Sequence, residues 1–512
     1  MNSEIRNPKS EISNPQSQIR NSKSIVVIGM GYVGIPCAAL LADVPGFRVT
    51  GVQRRSKRSG WKIECLNAGK CPFEGHEPGL AELIHRVVVE KGTFRVTDDY
   101  SVCRNADVIL IDVQTPTDEN HVPDYQSLRQ ACEQVGRYLQ PETLVIIEST
   151  VAPGTTQNVV QPILERESGL KAGSNFEIRN SKSQIPNPRF YLAFSYERVM
   201  PGRLLDFLVN MPRVVGGIDE ESTRRAVELY RHIVKKEITP TDVLTAEMAK
   251  TVENAYRDVN IAFANEVALA CERMGVNVYE VRRLINARPD RHMLLPGAGV
   301  GGHCLPKDPW LLKYGVDTYG RELGGTEGTQ GLELIELARR INDGMPLHMV
   351  ELIEGALAEA GVEVAGAKVA VLGVAYLEDS DDTRNTPAAP LAALLRARGA
   401  QVMAHDPYVR ERDWVESGGE GIPLTRDLAE ALRGADCAAI VTRHREYVDW
   451  ANQMVGEQAG NSQSTIRNPQ SEIWGLMRTP VVVDGRNVFD GEVCRQNGVV
   501  YRGIGKGLRD TT

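Results

Sequence analysis

The stretch Ile25-Val26-Val27-Ile28-Gly29-Met30-Gly31-Tyr32-Val33-Gly34 decides the fold of the first part of this chain. Its β-branched run predicts a buried strand, and an apolar helical pattern follows from Ile35. Gly29 permits a tight turn, Gly31 lets a pyrophosphate approach the backbone, and Gly34 allows close helix packing. In this context the glycines predict a dinucleotide-binding loop, with Tyr32 and Val33 also at the cofactor. A glycine-rich turn without a ligand is the alternative.

The end of the second predicted strand bears on the choice between NAD and NADP. An Asp or Glu there would hold the adenosine ribose, but residues 49–52 run into Gln53, Arg54 and Arg55. A glutamine can bond a hydroxyl without repelling a phosphate, and an arginine can pair with a 2′-phosphate. We expect Gln53 and Arg54 to contact NAD, with NADP not excluded. A solvated basic loop is the alternative for the arginines.

Size and composition indicate an ordinary multidomain protein. With 512 residues the chain exceeds one core, so we expect two or three domains. The net charge of -8 argues against nucleic-acid binding. We find no apolar run that would span a bilayer, no signal-peptide core near the start, and no CxxC pair among the nine cysteines. We expect a cytoplasmic protein that holds no metal and contacts no membrane.

The strand–helix rhythm predicts an α/β fold with two Rossmann-like doubly wound domains joined by a central long-helix region. Strand-like runs in the first part lie at residues 25–28, 48–52, 108–113 and 144–147, and in the last part at 368–372, 401–404, 437–441 and 481–483. The middle part, about 219–342, reads as mostly helical. Its longest predicted helix, 245–274, ends before Gly275.

Three low-complexity segments rich in Asn, Pro, Ser and charge resemble one another. They start at Glu4-Ile5-Arg6-Asn7-Pro8, at Glu177-Ile178-Arg179-Asn180-Ser181 and at Ile466-Arg467-Asn468-Pro469-Gln470. Such composition does not repay the entropy of ordering. We expect a tail over 1–23 and mobile surface insertions near 174–188 and 460–473, without a catalytic role.

Gly301-Gly302-His303-Cys304-Leu305-Pro306-Lys307-Asp308 places one cysteine in a glycine-rich loop. A thiol becomes a nucleophile when its anion is stabilised, and Lys307 lies within one turn of it. The stretch 296–302 can form neither a stable helix nor a good strand, and such a loop is typically built to touch something. We expect Cys304 to act as a nucleophile. A buried, inert thiol is the alternative.

Lys250 and Asn254 lie four residues apart and share one face of the long helix, which Arg257 continues. A Lys and an Asn side by side can stabilise a developing alkoxide, as oxyanion holes do. A solvent-exposed polar stripe is the alternative.

These motifs resemble the UDP-glucose/GDP-mannose dehydrogenase family, over nearly all of the chain outside the low-complexity segments. The resemblance rests on seven stretches in family order: the GMGYVG loop, residues 113–117, 149–156, 197–202, 247–254, the GGHCLPKD loop, and 381–387. It implies an NAD-binding Rossmann domain at 24–217, a central helical dimerisation domain with the cysteine loop at 218–345, and a C-terminal UDP-sugar-binding domain at 346–512.

The resemblance also implies a reaction, in which the C6 alcohol of a UDP-sugar is oxidised to a carboxylate with two NAD. After the first hydride transfer the aldehyde has no carbinol that can donate hydride. A thiolate restores one by forming a thiohemiacetal, which a second hydride transfer converts to a thioester for hydrolysis. A homodimer or higher homo-oligomer is expected.

Roles follow by position from the resemblance. Cys304 is the nucleophile, Lys250 and Asn254 stabilise negative charge on the C6 oxygen, and Asp308 positions the lysine and water. Glu197 and Thr150 lie near the reacting carbon. Thr115 and Thr150 lie where the family contacts the cofactor. The implied substrate contacts are Glu197, Arg198, Val199, Lys250, Asn254, Arg257, Gly301, Arg384 and Arg291, the last reaching into a neighbouring subunit.

Three positions depart from the family pattern. Tyr196 stands before Glu197, where proline is common, Leu377 follows Tyr376, where lysine is often found, and Gln53 replaces an acid. His303 and the stretch 256–262 are similar to the branch that oxidises UDP-N-acetylhexosamines, UDP-N-acetyl-D-mannosamine above all. UDP-N-acetylglucosamine and UDP-glucose stay open.

Two other interpretations remain. A two-electron Rossmann dehydrogenase of hydroxyacid or 6-phosphogluconate type would explain the cofactor loop and the long helix, but neither Cys304 nor a second α/β domain. An inactive nucleotide-sugar-binding protein would not explain why Cys304, Lys250, Asn254 and Asp308 are all present.

Overall fold

The computed structural model describes residues 22–57, 59–73, 75–173, 188–324, 331–458 and 474–507. Apart from residues at their edges, the tail at 1–23 and the insertions at 174–188 and 460–473 lie outside these ranges.

The N-terminal sheet has nine strands in the order β3-β2-β1-β4-β5-β7-β8-β9, with β6 paired to β7. Its pairings are parallel except that of β7 with β8. The strands are β1 (Lys23–Ile28), β2 (Phe47–Val52), β3 (Phe94–Thr97), β4 (Val108–Ile111), β5 (Leu144–Ile147), β6 (Lys171–Ala172), β7 (Arg189–Phe194), β8 (Arg213–Gly217) and β9 (Ile238–Asp242).

The sheet continues past residue 217, where we expect the first domain to end, and the domain bounds stay predictions. β9 pairs in parallel with β8 from Ile238 to Asp242, and α7 (Glu220–Tyr230) connects the two strands. Polar, mostly unburied β9 lacks the apolar run that marks an internal strand.

Helices cover both faces of the sheet. Successive side chains of a strand point to opposite sides, and the apolar ones on each side are buried under these helices. Ile25 and Val27 of β1 enter one core, whereas Val26 and Ile28 enter another. The other helices of this part are α1 (Gly34–Asp43), α2 (Trp61–Asn67), α3 (Leu80–His85), α4 (Gln126–Gly136), α5 (Gln161–Ser168) and α6 (Leu204–Asn210).

The central region contains α8 (Val243–Met274), α9 (Val278–Asn286), α10 (Asp308–Tyr319) and α11 (Glu333–Glu359). The long helix is confirmed: Asp242 caps its start by accepting a hydrogen bond from the Thr245 N–H, and Gly275 ends it at φ 69°. The expected boundary at 345/346 lies within α11, which continues through Pro346, and it also stays a prediction.

The C-terminal sheet is wholly parallel, in the order β12-β11-β10-β13-β14-β15. Its strands are β10 (Lys368–Leu372), β11 (Gln401–His405), β12 (Leu424–Thr425), β13 (Cys437–Ile440), β14 (Val481–Asp484) and β15 (Val500–Gly503). Its helices are α12 (Ala388–Ala397), α13 (Glu411–Trp414), α14 (Leu428–Leu432), α15 (Arg445–Gln458) and α16 (Gly491–Gln496). This is the second doubly wound domain that the sequence predicts.

Candidate active site

Three glycines shape the loop between β1 and α1. Gly29 has φ +105°, and a Cβ there would lie 2.3 Å from the Asp112 carbonyl oxygen. A Cβ at Gly34 would lie 1.9 Å from the Gly29 carbonyl oxygen. At Gly31 a Cβ would meet nothing within 4 Å, so its backbone is open to a ligand. The loop therefore fits the pyrophosphate of a dinucleotide at the start of α1.

Gln53 lies at the end of β2 and contacts this loop. Its Oε1 accepts a hydrogen bond of 3.0 Å from the Met30 N–H, and its Nε2 donates one of 2.9 Å to Ser59 Oγ. The amide is thus held at the strand end where the ribose of a dinucleotide binds in this fold. Ser59 is a contact that the sequence analysis missed.

The two arginines after Gln53 differ in their surroundings. Arg54 is exposed. Arg55 donates hydrogen bonds of 2.8 Å to both Asp98 and Glu64. Contact of Arg54 with a bound dinucleotide stays a prediction. The Arg55 side chain is already hydrogen-bonded within the protein.

Tyr32 extends from the cofactor loop to the C-terminal domain. Its hydroxyl donates a hydrogen bond of 3.0 Å to Asp381 Oδ1, and its ring stacks on Phe73 with centroids 4.4 Å apart. Burial and the neighbouring aspartates raise the pKa of Tyr32 far above its usual value, so the phenol stays a donor. Val33, with helical backbone angles, immediately precedes α1.

The loops after β4 and β5 are tied together beside the cofactor loop. Thr115 Oγ1 donates a hydrogen bond of 2.6 Å to the Thr150 carbonyl oxygen, and Ser149 Oγ donates one of 2.7 Å to the Val113 carbonyl oxygen. The structure thus brings together the two threonines predicted to lie near the cofactor.

Glu247 joins the second of these loops to α8. Its buried carboxylate accepts hydrogen bonds from the Gly154 N–H at 2.6 Å and the Thr156 N–H at 2.9 Å. Burial raises the pKa of Glu247 to about 7 although these donors favour the ionised form. Its place one turn before Lys250 was the available signal for this role, which the sequence analysis missed.

The cysteine loop ends in the first turn of α10. The Lys307 and Asp308 N–H groups donate to the Cys304 carbonyl oxygen at 3.0 and 2.8 Å. Lys307 Nζ lies 2.7 Å from Asp308 Oδ1, and Asn254 Nδ2 of α8 lies 2.5 Å from Asp308 Oδ2. Lys307 and Asp308 are buried and Cys304 is half-buried. Lys250 is close enough to interact electrostatically with Cys304 and Asp308. Four of the predicted catalytic residues therefore lie together here, namely Cys304, Asp308, Asn254 and Lys250.

The charges around Cys304 set its protonation. Burial raises the pKa of the Cys304 thiol, Asp308 raises it further, and Lys250 and Lys307 oppose both without cancelling them. Burial alone would lower the pKa of Lys250, but Glu197, Cys304 and Asp308 raise it above its usual value. The site thus holds a charged ammonium beside a thiol that is protonated near neutral pH.

His303, directly before the cysteine, is a neutral imidazole. Burial lowers its pKa well below the usual value, and the positive charges of Lys307 and Arg384 lower it further.

Residues 197–199 form a loop against α8. Lys250 Nζ donates a hydrogen bond of 2.8 Å to the Glu197 carbonyl oxygen. The Glu197 carboxylate accepts a hydrogen bond from the Val199 N–H, and Arg198 Nε donates one of 2.9 Å to Glu253 Oε1. The predicted contacts in this loop therefore lie beside Lys250.

Gly301 and Gly302 pack directly on the C-terminal domain. A Cβ at Gly301 would lie 2.5 Å from Tyr376 Cβ. The Gly302 N–H donates a hydrogen bond of 2.8 Å to the Arg384 carbonyl oxygen. Asn385 Nδ2 donates one of 3.0 Å to the Gly302 carbonyl oxygen. A side chain in this loop would push the two regions apart.

Arg384 lies between the cysteine loop and the cofactor loop. Its Nε donates a hydrogen bond of 2.8 Å to Asp382 Oδ1, and its guanidinium lies 5.1 Å from the centroid of the Tyr32 ring. The predicted nucleotide contact is therefore at the junction of all three regions.

Arg486 is a cation that the sequence analysis missed. Its Nη1 would lie 2.6 Å from a Cβ placed at Gly297, so it borders the glycine-rich loop. Burial lowers the pKa of Arg486 despite Glu378 and Asp484 nearby. Within the described ranges its guanidinium makes no hydrogen bond, which suits an anionic ligand.

Arg257 and Arg291 lie apart from this cluster within one chain. Arg257 is exposed on α8, and Arg291 is exposed and paired with Asp290 at 2.8 Å.

The described part of the chain contains neither a cluster of metal ligands nor a membrane-spanning helix. No set of three or more His, Cys, Asp or Glu residues there is arranged to hold a metal ion. None of the helices there has the length and apolar character needed to cross a bilayer.

Three family models match the chain in order. They are those of the UDP-glucose/GDP-mannose dehydrogenase family: its NAD binding domain at residues 23–234, its central domain at 244–344 and its UDP binding domain at 370–491.

Individual proteins are similar over almost their whole length. The UDP-N-acetyl-D-mannosamine dehydrogenase of Pyrococcus horikoshii is 37% identical over 486 residues, which cover 94% of this chain and 99% of that protein. A structure of the P. horikoshii UDP-D-ManNAc dehydrogenase matches with a TM-score of 0.77 at 35% identity, covering 94% and 99%. The NDP-N-acetyl-D-galactosaminuronic acid dehydrogenase structure from Methanosarcina mazei Go1 matches with a TM-score of 0.75 at 42% identity, covering 96% and 97%.

Proposed function

Since this chain belongs to the UDP-glucose/GDP-mannose dehydrogenase family, we propose that it oxidises C6 of a UDP-N-acetylhexosamine to the carboxylate. The predicted family, fold, dehydrogenase class and NAD cofactor are confirmed. The observation that carries the proposal is the convergence of Cys304, Lys250, Asn254 and Asp308 where the cofactor loop and the C-terminal domain meet.

The open backbone at Gly31 and the amide of Gln53 fit NAD. When bound, NAD accepts hydride from the sugar carbon in each of the two oxidation steps. The protein must orient that carbon, stabilise the charge that develops on its oxygen, and supply a nucleophile between the two steps.

Lys250 carries the positive charge that such an oxygen needs. Its pKa is raised above the usual lysine value, so it stays an ammonium in a largely buried site, where a charge acts strongly. Asn254 is oriented by its hydrogen bond to Asp308, and together the two donors form the proposed oxyanion cradle.

Cys304 is the proposed nucleophile toward the aldehyde. Because its pKa is raised, the thiol keeps its proton until an electrophile is present. Addition of sulfur to the aldehyde carbon gives a thiohemiacetal, its oxidation gives a thioester, and water releases the acid. Glu197 and Thr150 are the proposed residues that order this water, and Arg384 and Arg486 the proposed nucleotide contacts.

UDP-N-acetyl-D-mannosamine is the first proposed substrate. His303 before the cysteine and the 37%-identical relative named for that sugar support it. The 42%-identical structure is named for an N-acetyl-D-galactosaminuronic acid, so the corresponding galactosamine nucleotide is the second candidate.

The decisive experiment incubates the full-length protein with NAD and each UDP-sugar, and measures reduced cofactor and sugar acid. We expect two reduced cofactors per acid. One per product would support a two-electron dehydrogenase instead, and no turnover of any sugar with intact binding would support an inactive binding protein. Cys304→Ser should lose acid formation and keep sugar binding. Full turnover by that variant would exclude the covalent route.

We also propose a homodimer in which a second copy covers α8. Tyr256 and Phe263 expose 71% and 54% of their surface on this helix, although large apolar side chains are usually covered. In such a dimer Arg291 of one copy would reach the substrate site of the other copy. Light scattering of the protein and of Phe263→Glu tests this, with a monomer expected for the variant. A wild-type monomer would contradict it.

The nine unpaired cysteines support a reducing, cytoplasmic setting.

A further inference from the structure

Tyr196 is buried directly beneath the proposed catalytic lysine. It follows β7 and precedes Glu197, at the position where the family resemblance leads one to expect proline. Its residue surface is 1% exposed. Lys250 Nζ lies 5.3 Å from the centroid of its ring, within the range of a cation–π contact. A proline at this position would offer no aromatic face.

The Tyr196 hydroxyl fixes the ring to its surroundings. It accepts a hydrogen bond of 3.0 Å from Arg198 Nη2 and donates one of 3.3 Å to Glu253 Oε2. Arg198 in turn bonds Glu253 at 2.9 Å. Because Glu253 is on α8, three residues after Lys250, this triangle holds the ring in register with the helix that carries the lysine.

Among the described residues, four titratable groups face Lys250 in addition to the Tyr196 ring. They are Glu197 on the same loop, Glu253 on α8, Cys304 on the cysteine loop and Asp308 at the start of α10. An ammonium has three N–H donors, and one is used by the Glu197 carbonyl oxygen. An aromatic face attracts a cation without adding an anion that would compete with the substrate oxygen for it.

We propose that Tyr196 is a positioning residue for the oxidation proposed above, on which this inference rests: its ring holds the Lys250 ammonium charged and in place, and its hydroxyl locks that ring to α8 through Glu253. A ring that merely fills space would be replaceable by an apolar side chain of similar size. The two roles therefore separate when the ring and the hydroxyl are removed one at a time.

The test compares Tyr196→Phe, Tyr196→Trp and Tyr196→Met in the full-length protein. The kcat and KM for NAD and sugar are measured across the pH range in which activity falls as Lys250 loses its proton. The control is Tyr191→Met, which removes another buried tyrosine of β7 whose ring stacks on a cation, Arg225 at 3.6 Å, away from Lys250.

We expect Tyr196→Met to lower kcat about tenfold with little change in KM. It should also move the alkaline limb of the pH–activity profile down by about one pH unit. The direction follows because loss of the cation–π contact destabilises the ammonium and lowers the pKa of Lys250. Tyr196→Phe and Tyr196→Trp keep an aromatic face but lose the hydroxyl that locks it, so the alkaline limb should stay within about 0.3 units of wild type while kcat falls less than in Tyr196→Met. Tyr191→Met should also leave it in place.

An unmoved limb in Tyr196→Met, or a fall in Tyr196→Phe as large as in Tyr196→Met, would overturn the inference. If Tyr196→Met does not fold, the Phe and Trp variants decide alone, since a lowered limb in either contradicts a role for the ring. Wild-type protein that turns over no UDP-sugar would instead refute the proposed function. Activity in wild type with an unmoved limb in Tyr196→Met refutes this inference only.

Discussion

Tyr32 Oη lies 3.0 Å from Asp381 Oδ1, so the glycine-rich cofactor loop and the C-terminal domain are bonded directly to each other. Arg384 of the same C-terminal motif lies over the Tyr32 ring. The loop proposed to bind the cofactor thereby contacts the motif proposed to bind the nucleotide sugar.

Tyr32→Phe removes that hydrogen bond and keeps the ring. A hydrogen bond to a charged group contributes about 1.5–3 kcal/mol, less when partly exposed, so we expect the KM for the sugar to rise about fivefold. The kcat should stay within about twofold, because neither Tyr32 nor Asp381 touches Cys304. Steady-state kinetics measure both. Asp381→Asn, which keeps an acceptor oxygen, is the matched control and should show a smaller rise. Unchanged KM in both variants would show that this hydrogen bond does not support sugar binding.

Alkylation of Cys304 should require alkaline pH in the free protein. Burial and Asp308 raise the pKa of this thiol, so its reaction rate with iodoacetamide should have a midpoint above the ordinary value of about 8.5. Peptide mass spectrometry identifies the labelled site among the nine cysteines.

Asp308→Asn should lower this midpoint, because it removes a negative charge beside the thiol and frees Lys307 from its partner. The variant would then be alkylated faster near pH 8 although its turnover is lost. A wild-type midpoint below about 8 would mean that Lys250 and Lys307 outweigh burial.

Glu247 should make stability depend on pH. Its folded-state pKa is raised from 4.5 to about 7, so its contribution is fully present below about pH 4.5 and is lost as pH rises through about 7. The loss amounts to about 3 kcal/mol. Thermal melts of wild type and Glu247→Gln at pH 5 and 8 check this, since the Tm of the variant relative to wild type should rise with pH. The exposed Glu228→Gln on α7 is the control, and an equal difference at both pH values for Glu247→Gln would argue against a titrating carboxyl here.

Gln53 should leave the protein able to use some NADP. Its amide does not repel a 2′-phosphate, whereas a carboxylate at the same strand end would. Gln53→Glu should therefore raise the KM for NADP about tenfold and leave that for NAD within about twofold. Kinetics with the two cofactors measure this, and Gln53→Asn, uncharged and shorter, serves as control. An equal loss with both cofactors would show that Gln53 acts through the fold of the loop instead.

All the strands that the sequence predicted lie inside the two sheets, although the internal strands β7 and β8 were not predicted. Residues 25–28 lie in β1 and 368–372 form β10, and apart from Lys368 both are continuous apolar runs because helices cover both sheet faces. β9 was missed since it is an edge strand with polar residues and Pro240, which only an edge tolerates. Because β9 was missed, the predicted boundary at 217 precedes the last strand of the sheet.

The predicted site residues nearest the cysteine were found because they are close in sequence or share a helix face. Lys307 and Asp308 follow Cys304 within four residues, and Lys250 and Asn254 lie one turn apart. Phe73 and Arg486 were missed because only tertiary packing brings them to the site. Arg257 shows the limit of face arguments, since α8 turns it to solvent within one chain.

The two halves of α8 are embedded in different cores. Val243 and Ala246 pack with the N-terminal sheet, whereas Ala264 and Ala268 share a core with α11 and β10. The glycine-rich loop is hydrogen-bonded to this second half of α8, because the Gly297 N–H donates to Asn265 Oδ1. Any movement of the N-terminal sheet relative to the C-terminal core must therefore bend this 32-residue helix or slide it against one of its cores. We expect substitutions near the middle of α8 to change the stiffness of this link, and with it the rate of sugar entry, without touching either ligand.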